Sequence, residues 1–61
     1  MNYREAIKSM LKRIPDKVTN GSVNQAIGYK IVAEKAATVS SKSRASELEL
    51  IRAYEDLKAY E

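Results

Sequence analysis

Neither cysteine nor histidine occurs anywhere in the 61 residues, so the chain must be held in shape by a hydrophobic core. Disulfides are excluded, and so are zinc, haem and iron–sulfur sites that depend on thiolate or imidazole ligands. Thiolate and imidazole catalysis goes with them. A chain this short buries only about 60% of the surface that its unfolded form exposes. Its core must come from 13 large aliphatic side chains (four Val, five Ile, four Leu) and four Tyr, because Phe and Trp are absent. That supply fits one small domain over residues 1–61.

The apolar residues fall into helical stripes. Tyr3, Ala6, Ile7, Met10, Leu11 and Ile14 recur at three- and four-residue spacing, as one helix face does. Asn2-x-x-Glu5 can cap the start of this helix, and Pro15 cannot continue it. The pattern predicts a first helix over 3–13. A loop over 15–22 follows, with Asn20-Gly21 as a turn pair tolerant of positive φ and Val18 as a plug for the end of the bundle. Ser22-x-x-Gln25 repeats the capping pattern and opens a second helix over 23–38. There Val23, Ala26, Ile27, Ala33 and Ala37 share a face, Ile31 and Val32 sit off it, and Gly28 weakens the middle. Tyr29 to Val32 also fits a short strand, but no partner strand accompanies it. We read a central helix touched on more than one side.

Serine competes for backbone hydrogen bonds, so the cluster Ser40, Ser41 and Ser43 should interrupt the second helix. Ser43 is one candidate N-cap for the third helix, and Ser46-x-x-Glu49 is another one turn later. The third helix is expected over 44–60, with Leu50, Ile51, Ala53, Tyr54, Leu57 and Tyr60 as its stripe. A rival reading fuses the last two helices into one rod of about 57 Å, which would need a dimer to bury its stripe. The expected fold is all-α, a small three-helix bundle with self-association open to it. Its expected core is Tyr3, Ile7, Met10, Leu11, Ile14, Val18, Val23, Ile27, Ile31, Leu50, Ile51, Tyr54 and Leu57.

Charge is unevenly distributed. Residues 1–44 carry nine basic groups against three acidic ones, a net of +6, whereas residues 45–61 carry two against five, a net of −3. Such a dipole offers one face to polyanions. Arg4, Lys8 and Lys12 step by four over about 12 Å, enough to follow two or three phosphates, with Arg13 beside the apolar stripe. Lys30, Lys35, Lys42 and Arg44 extend this patch, and the serines supply phosphate hydrogen-bond donors. A helix-turn-helix over 27–50 fits poorly, since its turn glycine and following core positions are missing. The plain alternative is a solvated helix face. Tyr54 and Tyr60 are candidates for a protein interface, because tyrosine joins a large apolar ring to a polar tip, although ordinary packing at the core edge is the simpler explanation of them.

Catalysis finds little support. Glu55 and Asp56 are adjacent, so on a helix they point about 100° apart. There is no glycine-rich phosphate loop and no base for a serine nucleophile. No cofactor or metal is expected. The first residues contain charges and no apolar stretch, so they do not read as a secretory signal, and no run is long enough to span a bilayer. The basic amphipathic first helix suits a membrane surface only weakly, lacking Trp and Phe. Cytoplasmic location is the default. The reading is a small non-catalytic binding protein, accessory or regulatory and of viral or plasmid type, that contacts nucleic acid through its basic helical face. The alternative is a protein-binding modulator or assembly adaptor acting through the acidic C-terminal helix, with a homodimer among its forms.

Overall fold

Three polar side chains begin the three long helices. Oδ1 of Asn2 accepts from the Glu5 N–H, Oγ of Ser22 from Gln25 and Oγ of Ser46 from Glu49, each at 3.2 Å. Each contact satisfies one of the N–H groups that a helix start leaves unpaired. The computed structural model describes residues 2–61. Its helices are α1 (Tyr3–Leu11), the single turn α2 (Asp16–Thr19), α3 (Val23–Ser41) and α4 (Glu47–Lys58). No strand occurs among the described residues.

The long helices form an up-down-up bundle of 34 × 18 × 16 Å. Near its start, α1 meets the end of α3, where Nη1 of Arg4 donates to the carbonyls of Ser40 and Lys42. Beyond its end it meets the start of α3, where the Tyr29 hydroxyl donates to the Arg13 carbonyl at 3.4 Å. α4 runs parallel to α1, and Arg13 grips the terminal residue Glu61. The three-helix bundle is the expected one, and the single-rod alternative is overturned by the break between α3 and α4.

Several boundaries differ from expectation for physical reasons. α1 ends at Leu11, and Pro15 begins α2 within the predicted loop. The Pro15 carbonyl accepts from the N–H groups of Val18 and Thr19, and Val18 is buried as anticipated. Gly21 has no positive φ, nor does any other described residue. Its requirement is space: a Cβ there would strike the Lys17 carbonyl oxygen and lie 2.5 Å from Oε1 of Gln25. α3 continues through the serine cluster to Ser41. Thr38 Oγ1, Ser40 Oγ and Ser41 Oγ donate to the carbonyls of Glu34, Ala37 and Thr38, at 3.0, 3.1 and 2.9 Å. By bonding back onto their own helix, these hydroxyls leave it intact. α4 starts at Glu47, so Ser46 is the cap and Ser43 is not.

Ile7, Ala36, Val39, Ala53 and Leu57 form the enclosed core, with Met10, Leu11, Tyr29, Val32, Ala33, Ala45, Leu50 and Tyr54 packed around it. Four residues of the expected core lie outside instead: Ile14 is 64% exposed, Val23 76%, Ile27 53% and Ile31 62%. The inward face of α3 is Tyr29, Val32, Ala33, Ala36, Val39 and Ser40. Its alanines are small enough for α1 and α4 to close on it, so the larger aliphatics face outward. Among the described residues, no helix is long and apolar enough to cross a membrane.

Candidate interaction surface

The eight basic residues proposed as a single patch are divided among separate places. Lys8 and Lys12 stand exposed on the outer side of α1, away from Ile7 and Leu11. Arg4 turns inward and caps the C-terminal end of α3, where a cation also complements the helix dipole. Arg13 makes a two-pronged pair with Glu61, at 2.8 and 3.1 Å. This is the only ion pair among the described residues. Lys35 and Lys42 line an open groove of about 640 Å³ between α3 and α4, to which α1 contributes nothing. Arg52, Glu49 and Asp56 line it too, so the groove carries both signs over a floor of Val32, Ala36, Val39 and Ala53. Lys30 is exposed on α3, and Arg44 is exposed in the turn before α4.

Both candidate interface tyrosines are half-buried and engaged within the chain. The Tyr54 ring meets Tyr3 edge-on, with centroids 5.4 Å apart at 69°. Nζ of Lys58 donates to the Tyr54 hydroxyl at 3.2 Å. Tyr60 meets Tyr29 edge-on, at 5.6 Å and 73°, and its hydroxyl lies over Gly28.

Among the described residues, three of the exposed large aliphatics share the outward face of α3. Val23, Ile27 and Ile31 are four residues apart and form one ridge about 12 Å long. Ala26, Asn24 and Lys30 border it. Beyond Ile31 the same face becomes polar, with Glu34, Thr38 and Ser41 all exposed. The apolar surface is thus confined to the first half of the helix. A sequence signal for it existed: α3 has apolar residues on every side, and a helix that lies at the edge of a three-helix bundle can bury only some of them.

Comparison of the chain with protein-family models, curated proteins and solved structures gives no match. No group of three His, Cys, Asp or Glu side chains is placed to hold a metal ion among the described residues. The features left exposed are an apolar ridge on α3 and two cations on α1 that make no ion pair among the described residues.

Proposed function

We propose that the chain is a small non-catalytic binding protein that docks a protein through the outward face of α3. The observation that carries this reading is the exposure of Val23, Ile27 and Ile31 in one ridge. β-Branched residues are only moderate helix formers, and on the outside they contribute nothing to the core. A docked partner would return to them the burial that the monomer withholds. The role we assign is accessory or regulatory, of viral or plasmid type, within the cytoplasm. The surface differs from the acidic C-terminal helix that the sequence suggested, because Tyr54 and Tyr60 are already packed against Tyr3 and Tyr29. Retention of a partner from source-cell extract tests the reading. Ile27→Glu should abolish it with the far-ultraviolet circular dichroism unchanged, and a partner held equally by both forms would refute it.

A second reading, nucleic-acid binding, rests on Lys8 and Lys12, which stand unpaired and one turn apart on the outer face of α1. Anisotropy of a labelled duplex of about 30 base pairs tests it, each neutralised phosphate adding about −0.9 to the log–log salt slope. Lys8→Glu with Lys12→Glu should abolish binding, and an unchanged affinity removes α1 as the contact.

A further inference from the structure

We propose that the open groove between α1 and α4 binds a free aliphatic carboxylate, and that Glu61 competes for its place. The groove measures about 440 Å³, within the range of small-ligand sites. α3 contributes nothing to it, so it is separate from the ridge of Val23, Ile27 and Ile31. Its lining has two parts. Arg13, Lys58 and Ser9 supply hydrogen-bond donors, two of them cationic, with Glu61 as the one acid beside them. Ala6, Met10 and Tyr54 supply the apolar part. Glu49 and Asp56 of α4 line the groove toward α3 instead, so Glu61 cancels only one of the two positive charges here.

The Arg13–Glu61 contact defines the head group. Its two N–H bonds to oxygen, at 2.8 and 3.1 Å, are the bidentate match of a guanidinium to a carboxylate. The Glu61 side chain is 26% exposed and that of Arg13 62%, so the carboxylate is folded onto the protein rather than extended into water. Lys58 has no carboxylate partner among the described residues. One of its three donors goes to the Tyr54 hydroxyl at 3.2 Å, which leaves two for a ligand. A carboxylate in place of Glu61 thus has a second cation on the same groove. The tail follows from the walls. Both are α-helices, whose backbone groups are paired within the helix. A peptide laid here would find no main-chain partners, whereas a hydrocarbon chain needs none. Ala6 and Met10 lie one turn apart, about 6 Å along the axis, a length that suits a few methylenes. Each methylene fully buried is worth about fourfold in affinity.

Amide chemical shifts of the full chain, titrated with sodium hexanoate at constant ionic strength, test the proposal in the millimolar range that suits so open a site. The Arg13 side-chain N–H and the backbone N–H groups of Ser9 and Met10 should move, while those of Ile27 and Ile31 stay. Acetate should bind about tenfold more weakly, and hexanamide not measurably. Glu61→Gln removes the competing charge and should tighten hexanoate about two- to sixfold, since an exposed ion pair holds its own partner only to that degree. Arg13→Gln should abolish binding. Lys58→Gln, which leaves the Arg13–Glu61 pair intact, should weaken it severalfold with the folded spectrum retained. No shift in either the wild type or Glu61→Gln overturns the site. Equal affinity of those two proteins overturns the competition by Glu61, and hexanamide binding as well as hexanoate overturns carboxylate recognition. A leucine-terminated tetrapeptide that binds more tightly than hexanoate overturns the free acid as the ligand.

Discussion

Gly28 lies within α3, where glycine is less favourable than alanine by about 1 kcal/mol. Tyr60 accounts for it: a Cβ at position 28 would stand 2.6 Å from the Tyr60 hydroxyl and 3.7 Å from the carbon that bears it. The first distance is a collision and the second is ordinary contact. Removing only the hydroxyl should therefore make room for a methyl group. We expect Gly28→Ala to stabilise the Tyr60→Phe protein by about 1 kcal/mol, the full helix-propensity gain, and to lose most of that gain when Tyr60 is intact. Urea unfolding of the four proteins in the cycle measures this. Equal gains in both backgrounds would mean that Tyr60 does not lie on α3. The same contact explains why Tyr60 holds its edge-on position against Tyr29 near the end of the chain.

At the scale of the helices, the start of α4 offers a clean choice between two serines. Ser46 accepts from the Glu49 N–H, whereas Ser43 lies in the preceding turn and makes no side-chain hydrogen bond among those described. Ser46→Ala should cost about 1 kcal/mol, as loss of an N-cap does, and Ser43→Ala should leave the unfolding midpoint within error of wild type. The reverse order would place the start of α4 a turn earlier. The caps at Asn2 and Ser22 were legible in the sequence because a cap is a local device, complete within four residues, whereas at α4 two serines offered a cap and the expected start at 44 followed the wrong one. The stripe of α1 was legible because only one of its faces is apolar. The inward face of α3 was not, for the opposite reason. Val23, Ile27 and Ile31 outweigh Ala33 and Ala36 in hydrophobicity, yet close packing against α1 and α4 favours the smaller residues. Which side of α3 is covered depends on where those two helices lie, and that information is not local. The candidate site suffered in the same way. Arg4 and Arg13 read as members of a basic stripe, but their partners, the carbonyls of Ser40 and Lys42 and the carboxylate of Glu61, lie far along the chain.

For the molecule as a whole, Ile7 and Leu57 are the only large side chains under 2% exposed among the described residues. A single small core of this kind rarely supplies more than about 3–5 kcal/mol of stability, while truncating a buried isoleucine to alanine removes about 2–5 kcal/mol. The two ranges overlap, so Ile7→Ala should abolish most of the cooperative thermal transition seen by circular dichroism. Ile27 provides the contrast, being the same residue type in the same chain but on the outside of α3. In dilute solution, Ile27→Ala should stay within about 0.5 kcal/mol of wild type, since surface changes of this kind are nearly neutral and alanine is the better helix former. A large loss at Ile27 in dilute solution would mean that the ridge is already covered within one chain.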